Sequence, residues 1–322
     1  MFQLNGLLLP DPEISNFELD RAQELLNLTD EAHKFFEATN QKWDEWKTNS
    51  TALPPIKADS EDSTPKIINN WSEYELITHL IDKRTWSLNA FGWELVGFVA
   101  KSKTNPEHLF VVLRGTTTAK EWANNIRIIQ DGTEKDNDVE IHRGFHRAYI
   151  KGKEPLREQI NNALRPFISN EKTKIFVTGH SRGGALATVA AYFILQDLLV
   201  PMKKEPENMF LYTFASPRVG DSTFARKFDK LLKNSFRLTN SEDVVPKFPL
   251  AISLGVAALS GVPGLKTIVT ELLKFFPEQH KDANYEHIGQ PIYFTAQKGS
   301  IANNHTIPVY RRALEITKGQ TI

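Results

Sequence analysis

A serine framed by glycines, Gly179-His180-Ser181-Arg182-Gly183-Gly184, lies between two runs of different character. Before it, Ile175-Phe176-Val177-Thr178 is β-branched and apolar. After it, Ala185 to Leu199 is Ala-rich and helical in pattern. A G-x-S-x-G between a strand and a helix puts a lone hydroxyl on a sharp turn, at a helix N-terminus whose amides favour developing negative charge. Such a serine can attack a carbonyl and carry an acyl group. The turn predicts strained backbone angles at Ser181. It requires Gly179 and Gly183, because a Cβ there would collide with the neighbouring strand or helix. The alternative is a glycine-rich turn matching by chance. The flanking strand, the extra Gly184 and the helix favour a nucleophile.

A serine nucleophile needs a base, and the base needs an orienting acid; in strand–turn–helix enzymes the chain order is Ser, acid, His. Downstream, a short strand ending at Asn240 is followed by a loop, Ser241-Glu242-Asp243-Val244-Val245-Pro246. Asp243 is the candidate acid, with Glu242 as the adjacent competitor; Asp229 reads as a solvated helix residue. Of nine histidines, His33 and His79 fall in N-terminal helical patterns, and His108, His142 and His146 precede the serine. His180 packs inside the turn, and His280 sits in a charged, exposed run. His287 lies just before a strand, Pro291 to Thr295, and reads as a hydrogen-bonded structural residue. His305 lies in a loop between that strand and a last helix, Pro308 to Thr317. It is the candidate base, with His287 as the alternative.

Two backbone amides are needed to hold an oxyanion. Arg182, after the nucleophile, supplies one. The other belongs to a loop after an earlier central strand. Leu109 to Leu113 (LFVVL) is a continuous apolar run, as a strand buried on both faces should be. It ends in Arg114-Gly115-Thr116, which points to the Thr116 amide and adds its hydroxyl as a third donor; the plain alternative is an ordinary Gly-Thr turn.

These pieces, taken in order, resemble the class 3 lipases, the fungal-type triacylglycerol lipase family. The matching segments are Val111 to Thr116, Trp122 with Asn125, His142-Arg143-Gly144-Phe145, Val177 to Ala187 and Ala215-Ser216-Pro217-Arg218-Val219-Gly220. Arg237 to Pro246, Tyr285-Glu286-His287, His305 and Tyr310 complete them, so the resemblance covers roughly residues 90–318. It implies an α/β-hydrolase fold and Ser181, Asp243 and His305 as a triad. It also implies Thr116 and Arg182 at the oxyanion, and a lid over about Thr117 to Ile129 with Trp122 at the lid tryptophan. Two departures stand out. Arg182 occupies a position usually held by Leu, bringing a cation toward the site. The chain has no cysteine, whereas secreted fungal members carry disulfides.

Composition fits a globular enzyme. The chain has 322 residues, is 40% hydrophobic and carries zero formal net charge. That is long enough for one large α/β core plus an appendage. Balanced charge gives no footprint for nucleic acid. Zero cysteine excludes disulfides, Cys-type zinc sites and a Cys nucleophile; no metal or cofactor is called for. Met1 to Asp11 has neither a basic segment nor an apolar core long enough for a secretion signal, and no segment reads as a membrane span, so the expectation is a cytoplasmic protein or one peripheral at a membrane surface.

Along the chain, Phe17 to Trp46 reads as helix and residues 48–70 as a polar, proline-bearing linker. Trp71 to Lys83 reads as helix again, and Phe91 to Ala100 as the first core strand. Glu154 to Ile168 is an amphipathic helix, Met209 to Ala215 a strand and Phe224 to Leu232 a surface helix. The expected architecture is a mostly parallel sheet flanked by helices, with residues 1–70 as a helical extension and linker and residues 71–322 as the catalytic domain. Leu250 to Phe276 is anomalous, holding only Lys266, Glu271 and Lys274 as charges, with a Gly261-Val262-Pro263-Gly264 turn dividing it. It reads either as a buried helical hairpin or as an apolar flap that meets acyl chains or a membrane or lipid-droplet surface. Three functions follow: a hydrolase of lipid esters, an esterase or thioesterase for small soluble substrates, and a non-catalytic lipase-like binding protein. The intact Ser–Asp–His set favours the first two.

Overall fold

The chain's central strands are almost entirely buried because helices cover both faces of the sheet they form. The computed structural model describes residues 7–9, 16–46, 73–82, 85–87, 90–91, 94–115, 133–152, 154–203, 206–249 and 285–320. Among the described residues the main sheet has seven strands, in chain order across the sheet. They are β1 (Tyr74–Asp82), β2 (Glu94–Ser102), β3 (His108–Leu113), β4 (Lys174–His180), β5 (Met209–Phe214), β6 (Ser235–Asn240) and β7 (Gln290–Phe294). β1, β2 and β3 pair antiparallel, and β3 through β7 run parallel. β5 and β6 are buried at every position, whereas the edge strand β7 alternates between buried and more open residues. That contrast follows from period-two side chains on strands covered on two faces or fewer.

The seven helices used below are α1 (Leu19–Trp46), α2 (Arg143–Ile150), α3 (Leu156–Leu164), α4 (Arg182–Ile194), α5 (Ser222–Leu231), α6 (Ile301–Asn304) and α7 (Ile307–Gln320). On β3, Leu109, Val111 and Leu113 point to one face, with Ile175 and Val177 of β4 and the apolar residues of α2 to α5. Phe110 and Val112 point to the other, with Phe176 of β4 and the buried stripes of α1 and α7. α4 is buried at all of its positions, which its Ala-rich, uncharged sequence after Arg182 allows. On the opposite face Phe110, Phe176 and Phe210 sit in register on three adjacent strands, their rings stacked at 5.5 and 5.0 Å. The Arg21 guanidinium of α1 lies 4.2 Å from the Phe176 ring centroid.

α1 packs on the sheet through Ala22, Leu25, Leu26, Ala32 and Phe36, spaced at three and four residues. Thr29, in the same stripe, is buried because its Oγ1 donates to the Leu25 carbonyl at 2.8 Å. α1 also meets α7, where Arg311 Nη2 donates to Asp30 Oδ2 at 2.7 Å.

Within the stretch read as helix at Trp71 to Lys83, Tyr74–Asp82 is instead strand β1. Tyr74, Leu76, Leu80 and Asp82 fit a helical stripe poorly, and the register Tyr74↔Ser102 to Asp82↔Glu94 satisfies the backbone through β2. The first strand of the sheet is therefore β1. The strand expected at Phe91 to Ala100 is the second, and Phe91 itself belongs to a separate two-strand pairing with Thr85–Ser87.

Leu25 is fully buried between α1 and the sheet. Leu25→Ala should destabilise the full chain by about 2–5 kcal/mol in urea unfolding, the cost of lost burial plus a cavity. An unchanged midpoint would place α1 outside the cooperative core.

Candidate active site

The turn after β4 is forced by close approach of two backbones. A Cβ on Gly183 would lie 2.2 Å from the Leu113 carbonyl oxygen at the end of β3, and one on Gly179 would lie 2.3 Å from the Gly183 carbonyl carbon. With both positions bare, α4 starts directly against the strand ends. Ser181 takes φ +59° and ψ −128°, a left-handed conformation that a side chain rarely adopts. Its own amide is held by the Phe214 carbonyl of β5 at 2.9 Å, so neighbouring strands fix the strained residue.

Ser181, His305 and Asp243, 62 and 124 residues apart along the chain, meet in one hydrogen-bond series. Ser181 Oγ is 2.7 Å from His305 Nε2, and His305 Nδ1 is 2.7 Å from Asp243 Oδ2. The carboxylate assigns the imidazole proton to Nδ1, which leaves Nε2 to accept the serine hydroxyl. Asp243 has no solvent exposure. Its charge is met by further donors: the Val245 amide to Oδ1 at 3.0 Å and the Tyr310 hydroxyl to Oδ2 at 2.8 Å. Burial and the adjacent Asp243 carboxylate push Tyr310 well above the ordinary tyrosine range, so its hydroxyl stays a donor.

Two asparagines bind the acid loop to the base loop. Asn240, fully buried at the end of β6, donates from Nδ2 to the carbonyls of Ala296 (2.9 Å) and Asn304 (3.0 Å). Its Oδ1 accepts from the amides of Ala296 (2.9 Å) and Glu242 (3.2 Å). Asn304 Nδ2 in turn donates to the Glu242 carbonyl at 3.1 Å. The Asn240 amide donates to the Tyr310 hydroxyl at 3.2 Å, which aims that hydroxyl at Asp243. Neither asparagine stood out in the sequence; the available signal was an amide side chain at the inner end of an otherwise buried strand.

The remaining candidates divide clearly. Glu242 is exposed, and its carboxylate accepts from Gln297. His287 lies half-buried against the Pro246 backbone; burial, then the Arg237 and Arg218 cations, pull it down to about 2. Ser181 and Asp243 are both engaged by His305 instead. His180 is buried beside the His305 ring (4.8 Å) and Tyr310 (5.7 Å), as its place inside the turn suggested. Asp229 is more than a solvated residue: its Oδ1 accepts the Gly289 amide at 2.7 Å, and burial raises its pKa. Arg182 is the first residue of α4, and its side chain is buried rather than free at the surface. Thr116, Trp122 and the Leu250 to Phe276 segment lie outside the described residues. Among the described residues no group of three or more His, Asp, Glu or Cys could hold a metal ion, and no helix is long and apolar enough to cross a membrane.

Residues 110–253 match the family model described as Lipase (class 3). That stretch is similar to the class 3 lipases and makes up less than half of the chain. It holds Ser181 and Asp243 and stops short of His305, while α1 and α7 flank it. Among proteins similar to this one, the chloroplastic phospholipase A1-Igamma3 of Arabidopsis thaliana is 31% identical over 192 residues, 51% of this chain and 35% of that protein. A secreted mono- and diacylglycerol lipase of Fusarium solani is 30% identical over 152 residues, 47% of this chain and 42% of that one. The chain thus spans less than half the length of these relatives. The triacylglyceride lipase structure from Rhizomucor miehei superposes with a TM-score of 0.52 at 20% identity, covering 76% of this chain and 78% of that one. The fold is therefore the α/β-hydrolase fold.

Tyr310→Phe keeps the ring and removes both the bond to Asp243 and the one from Asn240. Labelling of Ser181 by a fluorophosphonate should slow about tenfold, ~1.4 kcal/mol at the barrier, and urea unfolding should lose about 1–2 kcal/mol. An unchanged labelling rate would leave Tyr310 as a packing residue only.

Proposed function

We propose that this chain is a serine carboxylic-ester hydrolase acting on lipid esters. The observation that carries the reading is the 2.7 Å and 2.7 Å series from Ser181 through His305 to Asp243, on a strained turn at the head of a buried helix. Ser181 Oγ attacks the ester carbonyl as His305 Nε2 takes its proton. His305 returns that proton to the leaving alcohol. Asp243 holds the imidazole tautomer and balances the charged ring. The amides of Arg182 and Thr116, with the Thr116 hydroxyl, bind the oxyanion. Water activated by His305 then releases the acid from the acyl-enzyme.

The lipid part of the reading rests on kinship and on composition. The relatives are named phospholipase A1 and mono- and diacylglycerol lipase. Trp122 serves as the lid tryptophan, and the apolar Leu250 to Phe276 segment as a flap toward a membrane or lipid-droplet surface. Residues 71–322 form the catalytic domain, and residues 1–70 are an extension whose helix packs on its sheet.

Ser181→Ala should lower ester hydrolysis by about a million-fold and abolish fluorophosphonate labelling. His305→Ala should match it, while His287→Ala keeps activity. An active His305→Ala with a dead His287→Ala would reverse the assignment of the base.

For lipid action, hydrolysis of a short-chain ester should rise steeply once its concentration passes the micellar threshold. Leu259→Asp combined with Val262→Asp should weaken binding to phospholipid vesicles and spare a water-soluble ester. A destabilised double variant that loses both activities would make the segment a buried cover and remove it from the interfacial reading.

A further inference from the structure

α1 reaches the catalytic turn through one imidazole. β3 leaves its ladder residue by residue: the Arg114 amide still donates to the Val96 carbonyl at 2.9 Å, and Gly115 is the next residue out. The Gly115 amide donates to His33 Nε2 of α1 at 3.2 Å, a contact spanning 82 residues. Its carbonyl accepts from Arg114 Nη1 at 2.7 Å, while Arg114 Nε donates to the Leu95 carbonyl at 2.7 Å. The Arg114 guanidinium lies 3.4 Å from the ring centroid of Phe36, three residues beyond His33 on α1. Both polar groups of Gly115 are thus fixed, one directly by α1 and the other through a guanidinium that α1 covers.

Gly115 is no remote loop residue. A Cβ on it would lie 2.4 Å from the His180 carbonyl oxygen and 3.2 Å from Ser181 Cβ, so its backbone rests against the nucleophile's own residue. The His33 ring stands edge-on to His180, centroids 6.2 Å apart, and His180 lies 4.8 Å from His305. A buried amide without an acceptor costs stability, and a peptide free to rotate here would carry the backbone beyond it into several orientations.

We propose that His33 is a positioning residue for ester hydrolysis: by accepting the Gly115 amide it fixes the peptide that rests on Ser181. This rests on the ester-hydrolase reading above. It makes α1 part of the catalytic apparatus, although α1 lies outside the stretch that matches the family. The role requires a neutral ring, since a protonated Nε2 cannot accept. Arg114 from the end of β3, Asp30 on α1, His180 and His305 are the titratable and charged groups that face it. Burial, then the Arg114 cation, holds His33 down to about 4, with Asp30 opposing. The acceptor therefore persists across neutral and mildly acidic pH.

The test uses two variants of the full chain that match in length and differ in acceptor strength. His33→Gln offers an amide oxygen near the position of Nε2, and His33→Met offers only a thioether. With a water-soluble ester, His33→Gln should keep kcat within about threefold of the parent, while His33→Met should lose about tenfold or more in kcat at unchanged KM. Equal kcat in the two variants, high or low, would overturn the proposal. The parent's His33 gives a second measurement that needs no variant to fold. Its imidazole ¹⁵N shifts should report the Nδ1–H tautomer, and an Nε2–H tautomer at neutral pH would overturn the proposal as well. A parent chain that neither hydrolyses esters nor takes up a fluorophosphonate would instead remove the ester-hydrolase reading, an outcome separate from a parent that does both while its Gln and Met variants agree.

Discussion

A carboxylate with no solvent exposure governs this site. Asp243 would be prohibitively costly to bury alone, since an unpaired charge in a protein interior loses several kcal/mol of hydration. Its surroundings supply donors from three parts of the chain: the His305 ring, the Tyr310 hydroxyl of α7 and the Val245 amide of its own loop. Each donor is itself held. The Asn240 amide orients Tyr310, and the Asn240 side chain ties the acid loop, at the Glu242 amide, to Ala296 and to the Asn304 carbonyl beside His305. The cost of burying one charge therefore enforces the geometry of the base that meets Ser181.

The sheet lets these demands be met together. Its parallel strands all end on the same side, so the residues that follow β3, β4 and β6, Gly115, Ser181 and Asp243, converge there. The face carrying α4 supplies the nucleophile's helix, and the face carrying α1 and α7 supplies the supports: Tyr310 for the acid and His33 for the peptide beside the serine. The helices on that second face thus do more than cover Phe110, Phe176 and Phe210: each also makes a hydrogen bond at the site.

The sequence made local features legible and long-range polar contacts illegible. Ser181 could be read because the turn's requirements, bare residues at Gly179 and Gly183, are written within five residues. Asp243 and His305 followed from strand ends and chain order, and both stand in the hydrogen-bond series that Ser181 begins. β1 reads as helix from its local pattern because its nine residues mix aromatic, apolar and charged types with no clean period of either kind, and pairing with β2 is what makes them a strand. His33 reads in sequence as an ordinary helical residue. Nothing near it in sequence announces an amide 82 positions away. Asn240 and Asn304 escaped for the same reason: their function is to satisfy backbone groups that become neighbours only after the sheet forms.

The imidazoles around Ser181 carry a further constraint. His33, His180 and His305 lie in sequence, ring beside ring. When His305 accepts the serine proton it becomes cationic, and a charged neighbour at such distances would oppose that step. Burial acts first on both neighbours and keeps them neutral: His180 falls well below its ordinary value, and His33 falls to about 4 from 6.5. The unfolded chain therefore binds protons that the native one refuses in the window below about pH 6.5. The stability these two residues contribute is present above that pH and is lost as pH falls toward their folded values. The same burial that leaves Asp243 as the single charged partner of His305 in the series thus makes the folded site sensitive to acid, and it ties the electrostatics of proton transfer to the packing of α1.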